Sequence, residues 1–296
     1  MNLNRKNSVG SRLYMALVFF FLYAPILLLI VFSFNTGNSG VVWQGFSLQW
    51  YAELFQDRLI IQSVYTTLLV SVLATVIATV VGTFTAIGFY SMRRRWRGPL
   101  LTVNNIPMMN ADIVTGVAMC LFFVAVFGGW NYLASNYTFT VNLFGAMYRI
   151  TLPKLYLGFG TLLIAHVTFN IPYVILSVGP KLRQMDSNLV DAARDLGCTW
   201  LQAFWKVILP EIMPGIISGA LIAFTMSVDD FVISYFTAGS STSTLAMTIY
   251  GMTKKGITPE INAISTILFV VVLFLLIVVN VREARAEKAA ARQRFS

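Results

Sequence analysis

Apolar residues run along this chain in six long blocks, about 13–34, 62–90, 100–127, 155–178, 213–236 and 262–281, with polar stretches between them. Each block reaches the roughly 20 residues that an α-helix needs to cross a hydrocarbon core about 30 Å thick. The blocks lack the short two-residue alternation of an outer-membrane barrel strand. The pattern predicts an all-α, polytopic membrane protein with six transmembrane helices. Pro25 and Pro107 interrupt the first and third blocks, as neighbouring helices in a membrane tolerate. The first block follows a basic start like that of a signal peptide. From Leu13 to Phe34 it is too long for a signal core and lacks a small-residue cleavage pattern, so it reads as a retained span.

Composition agrees with this reading. Of 296 residues, 57% are hydrophobic and 11% charged, against about 25% charged in soluble domains. The net charge of +9 would suit a nucleic-acid partner, but the positive residues sit in short loops, where topology accounts for them. With the N-terminus inside, the inner segments hold Arg5, Lys6 and Arg12, then Arg93, Arg94, Arg95 and Arg97. Lys181, Arg183, Arg194 and Lys206 follow, and then the basic tail from Arg282. The outer segments hold Arg58, Arg149, Lys154, Lys254 and Lys255. The bias places both termini in the cytoplasm. Cys120 and Cys198 indicate neither a disulfide framework nor a metal site.

The acids distribute differently. Asp112, Asp229 and Asp230 fall inside predicted spans, and no Lys or Arg does. An aspartate at the centre of a membrane helix costs about 2.5–3.5 kcal/mol to insert. Counted along continuous helices, Asp112 and Asp229 lie roughly 18 and 22 Å from the inner face. At one level they can line one cavity, where a visiting cation relieves their repulsion. Adjacent helical residues point about 100° apart, so one of Asp229 and Asp230 is expected to face the cavity and the other to bond within the bundle. The competing reading makes all three helix–helix glue, or makes Asp112 the cap of a restarted helix after the polar "NNIPMMNAD". In the cavity reading, Asn105 and Asn110 line a wet vestibule and Phe231 and Tyr235 offer aromatic faces to an ammonium group; the competing reading of the two rings is simple packing. His166, the single histidine, reads as hydrogen-bonded within the bundle rather than as a proton relay.

Between the fourth and fifth blocks, "MDSNLVDAARDLGCTWLQAFWKVILPEIMPG" predicts two short helices. The first stops at Gly197; the second is capped by Thr199 and broken at Pro210. Its segment "DAARDLGCTWLQAFWKVILP" resembles the EAA loop of bacterial ABC importer permeases. The matching residues are Ala192, Ala193, Gly197, Leu209 and Pro210, with Asp191 in place of the usual Glu. "YAPILLLIVFSFN", "DIVTGVA", "SVDDFVISYF" and "IYGMTKKGITPEINAISTI" are similar to the second permease subunit of spermidine/putrescine importers. Residues 128–154, with Trp130, Tyr132 and Tyr137, are longer than that resemblance leads one to expect and suit an interfacial or vestibule element.

The resemblance implies a type I ABC importer permease fold: one transmembrane permease domain, 1–296, with a coupling loop at 185–212. It implies a second permease subunit that is a different protein, an ATP-binding subunit dimer and an extracytoplasmic polyamine-binding protein. ATP and Mg would sit on the ATPase, and this chain would hold no cofactor. Independently, no G-x-x-x-x-G-K-[ST] occurs here. Two other readings stay open: an importer for another cation such as ferric ion, and a cation- or proton-coupled secondary transporter. With no nucleophile–base pair and no H-E-x-x-H, an enzyme is not expected.

Overall fold

The structure, a computed structural model, describes residues 9–37, 42–136, 138–143, 146–151, 153–186, 188–254, 256 and 258–293. In chain order the elements are α1 (Val9–Phe32), α2 (Gln49–Leu54), α3 (Arg58–Ser91), α4 (Arg94–Met109) and α5 (Asp112–Asn136). Next come β1 (Thr138–Leu143), β2 (Ala146–Thr151), α6 (Phe159–Gln184), α7 (Asn188–Asp195) and α8 (Trp200–Ala203). The last four are α9 (Leu209–Val228), α10 (Val232–Thr237), α11 (Leu245–Thr253) and α12 (Pro259–Gln293). Among the described residues, six helical stretches are long and apolar enough to cross a membrane, as the hydrophobic blocks predict: Gly10–Phe32, Arg58–Ser91, Asp112–Asn136, Phe159–Gln184, Trp200–Val228 and Pro259–Val278.

The chain forms two compact units, 1–61 with 248–275, and 62–247 with 276–296. In the first, α1 is exposed along its apolar length. The turn after it is stitched by the fully buried Asn35. The Asn35 amide donates to the Val42 carbonyl at 2.8 Å and accepts from the Gln44 N–H at 2.8 Å. The Trp50 indole donates to the Asn35 carbonyl at 2.7 Å.

In the second unit, α3 and α6 lie side by side and run the same way. Val70 packs with Leu162, and a side chain at Gly82 would strike Val174. Val70, Ala74, Ala78, Gly82 and Ala86 form a buried row every fourth residue, one stripe of a helix. α9 crosses α6 in the opposite sense through Gly215, Gly219 and Ala223. A Cβ at Gly215 would come within 2.8 Å of Lys181 Cγ and 2.9 Å of the Ser177 carbonyl oxygen. One at Gly219 would meet Ser177 and Val174 at 3.1 Å. Small residues spaced by four let membrane helices approach backbone to backbone, where dispersion replaces the hydrophobic driving force that lipid removes.

Four expectations change. The third block is not one helix from 100 to 127: α4 ends at Met109, Asn110 is extended, and α5 starts afresh at Asp112 and runs to Asn136. The fifth block breaks after Val228 and resumes at Val232. Pro210 does not end the loop helix. A π-helical turn at Phe204–Ile208, where the Leu209 N–H reaches the Phe204 carbonyl, carries the chain from α8 into α9. Inserting one residue before a proline is one way that a helix absorbs the hydrogen bond which proline cannot make. Finally, the segment after α5 is an antiparallel hairpin in which Thr138 pairs with Thr151 and Leu143 with Ala146. Tyr137 lies outside the described residues. At the hairpin's base Trp130 donates to the Pro153 carbonyl at 2.9 Å, and Asn131 exchanges two bonds with the Leu155 backbone.

Candidate functional site

The two helix breaks meet. Gly116, one turn into α5, packs against Val232, Ile233 and Phe236 of α10. This contact brings the start of α5 to the start of α10. Asp112 lies one turn before Gly116 on α5, and Asp229 and Asp230 lie just before the residues that Gly116 meets. Phe123, Ala165, Phe169 and Ile233 form the apolar floor beneath them.

The adjacent aspartates have opposite fates. Asp230 is turned inward, its side chain 8% exposed. Its carboxylate accepts from the Ile233 N–H at 3.3 Å and from the Ser234 N–H and hydroxyl at 2.8 and 2.9 Å. It therefore satisfies two of the donors that open α10. His166 Nε2 lies 3.5 Å from it, 3.0 Å from Ser234 Oγ, and His166 Nδ1 lies 2.6 Å from Ser227 Oγ. An imidazole with its proton on Nε2 closes the chain: Ser227 donates to Nδ1, Nε2 donates to Ser234, and Ser234 donates to Asp230. The expected bundle role of His166 matches this geometry, with α6, α9 and α10 tied through one ring.

Asp229 closes α9 and is exposed, as is Asp112 at the first position of α5. The contact of His166 with Asp230 is the only ion-pair approach among the described residues, so neither exposed acid has a basic partner there. The Phe231 and Tyr235 rings meet at a tilt beside them, centres 5.5 Å apart, with Tyr235 exposed. Asn110 is exposed at the break. Asn105 is placed elsewhere, on a cavity between α3, α4 and α6.

The loop residues assemble as their spacing implies. Asp191, Ala192 and Ala193 lie on α7. Gly197 follows the helix with φ +86°. The Gly197 N–H reaches the Arg194 carbonyl at 2.9 Å, and the Cys198 N–H reaches Ala193 at 3.1 Å. This is a Schellman stop, whose left-handed residue explains the glycine four positions after the second alanine. Thr199 and Gln202 then cap α8 reciprocally. Leu209 and Pro210 open α9. Leu196 is 87% exposed, and Trp200, Leu201 and Trp205 are exposed beside it.

Residues 78–285 match the family model for the binding-protein-dependent transport system inner membrane component. The chain belongs to that family. As a member of the inner membrane component family it is a polytopic permease subunit of an ABC-type importer, not an enzyme. It is 36% identical over 264 residues to the spermidine/putrescine transport system permease protein PotC of Haemophilus influenzae, covering 89% of this chain and 92% of that one. It is 34% identical over 275 residues to the putrescine transport system permease protein PotI of Escherichia coli, with 93% and 90% covered. In fold it is similar to a chain of a bacterial ABC transporter that imports alginate, with TM-score 0.69 at 16% identity over 94% and 95% of the two chains. It also resembles a chain of the MetNI methionine ABC transporter, with TM-score 0.55 at 18% identity over 77% and 94%.

Sequence reasoning passed over the side chains that hold Asp230. Ser234 donates to Asp230, and Ser227 and Ser234, on opposite sides of the break, both meet His166. It also passed over Asn170, one turn along α6 from His166, fully buried with both amide atoms unpaired.

Proposed function

We propose that this chain is a permease subunit of an ATP-driven polyamine importer, and that Asp229 and Asp112 form the cation-attracting part of its pathway. The exposed, unpaired pair of acids at two facing helix breaks carries this reading. A multivalent ammonium crossing a membrane loses hydration worth many kcal/mol. Fixed carboxylates without basic neighbours return part of it, and Phe231 and Tyr235 add ring faces that attract cations. Asp230 is not a ligand in this scheme. Its charge is spent on opening α10 and on His166, and it sets where Asp229 points. The acids hold cargo weakly enough to release it, as conduction sites do. Selection among polyamines then falls to an extracytoplasmic binding protein docked on the outer side.

The loop from α7 to α8 is the seat of a separate ATP-binding subunit, with Leu196, Trp200 and Leu201 as its apolar contacts. ATP and Mg belong to that subunit, a second and different permease subunit completes the pathway, and both termini of this chain are cytoplasmic. Labelled spermidine and putrescine uptake tests the reading. Asp112→Asn with Asp229→Asn is expected to abolish uptake while the complex assembles and hydrolyses ATP. Normal uptake in that double variant would overturn it.

A further inference from the structure

The end of the bundle where α3 and α6 finish and α4 begins carries a second feature. A cavity of about 200 Å³ opens between these three helices, walled by Phe89, Leu101, Ile175 and Leu176, with Arg97 and Arg183 at its mouth. It adjoins an open cleft of about 550 Å³ that the same two arginines and Leu101 also line. The Arg97 guanidinium lies over the Tyr90 ring at 5.5 Å, held in place without being neutralised.

Among the described residues no carboxylate pairs with these charges. From Leu59 to Met185 the sequence contains one acid, Asp112. Asp186, the next, turns its carboxylate to the Asn188 N–H at 2.9 Å. The ion-pair contact among the described residues lies elsewhere, at His166. Trp96 is exposed beside the site with Arg95 stacked on it at 5.7 Å; indole rings settle at the headgroup level of a bilayer. The apolar runs of α3 and α6 stop at this level. Paired guanidiniums at headgroup depth, backed by an apolar hollow between helices, match a phosphodiester with a hydrocarbon chain.

We propose that Arg97 and Arg183 bind the phosphate of an anionic phospholipid, with an acyl chain entering the hollow between α3, α4 and α6. A free phosphate would leave the hollow empty, and the ammonium of a zwitterionic headgroup would be repelled by the arginines. The site therefore favours phosphatidylglycerol or cardiolipin. With the proposed topology this end of the bundle meets the inner leaflet; the binding itself does not rest on that topology, nor on the cargo.

Native mass spectrometry of the intact, delipidated importer, titrated with phosphatidylglycerol or phosphatidylcholine, tests this. Wild type is expected to take up phosphatidylglycerol saturably and phosphatidylcholine weakly, with millimolar inorganic phosphate displacing neither. Each Arg→Gln change should weaken binding about fivefold, and R97Q/R183Q about thirtyfold. R97K/R183K should retain most of it. Gly179 borders the cavity with open space where its side chain would be. Gly179→Leu should fill the hollow and weaken binding with the arginines untouched. Equal affinity in wild type, R97Q/R183Q and G179L overturns the proposal. So does equal affinity for the two lipids, displacement by inorganic phosphate, or an R97Q/R183Q complex that sheds a partner subunit rather than a lipid.

Discussion

The α6–α9 crossing and the α5–α10 crossing lie in one bundle and are built on opposite rules. At the first, two continuous helices meet through Gly215, Gly219 and Ala223, and the contact excludes everything but backbone and small side chains. At the second, both chains are interrupted within a few residues of the contact, by Asn110 and Ala111 on one side and by Asp229 to Phe231 on the other. There, the Ile233 and Ser234 N–H groups are answered by the Asp230 carboxylate, which the Ser234 hydroxyl and the His166 imidazole neighbour in turn. In a membrane, irregular backbone persists only where protein or a wet cavity satisfies it. The continuous crossing is therefore scaffold, and the interrupted one is where charge can be displayed.

The largest effect that this contrast predicts is at the scaffold. Gly215→Leu must push α9 off α6, since its Cβ alone would meet Lys181 and Ser177 below 3.0 Å. Overpacking of this kind costs about 1–3 kcal/mol and more as atoms are added, so the permease is expected to fail to assemble on size exclusion. A variant that assembles and melts normally would show that the crossing is looser than its geometry.

Next comes Asp230→Ala, which strips the N-terminal donors of α10 and the Ser234 hydroxyl of their acceptor. A lost cap and an orphaned buried donor together cost about 2–3 kcal/mol, read as a lower melting temperature of the purified complex. Asp230→Asn should recover part of it. If Asp230→Ala melts like wild type but loses uptake, the division of labour between the two aspartates is reversed.

Asp229→Asn should leave melting unchanged and slow polyamine uptake about tenfold, equivalent to about 1.4 kcal/mol in the barrier. The smallest effect is expected at Gly197→Ala. The residue keeps φ +86° with open space around it, so the penalty is conformational, about 1 kcal/mol. It falls on the loop alone, seen as ATP hydrolysis that no longer tracks uptake while both crossings stay intact.

The six spans were legible because length and hydropathy are properties of single segments. Gly197 was legible for a similar reason: a helix stop is local chemistry. The break at Asn110 showed in its polar run. The break at Asp229 did not, because no glycine or proline marks it. Asp230 opens α10 from within the segment, but the group that meets it inside the bundle, His166, comes from α6 and is invisible to a window sliding along the chain. Pro210 misled in the opposite direction, since the π turn that accommodates it is a compromise between neighbouring turns. The hairpin at Thr138–Thr151 follows a two-residue alternation of polar with apolar residues in its first strand, a signal short enough to be masked by the aromatic residues that suit an interface.

The run from Trp200 to Val228 has a mechanical consequence. It is 29 residues long, a rod of roughly 43 Å, with the exposed tryptophan at one tip and Asp229 just past the other. It seats against α6 at Gly215 and Gly219, between those two ends. A tilt imposed at the tryptophan tip therefore pivots on the two glycines and swings the carboxylate the opposite way.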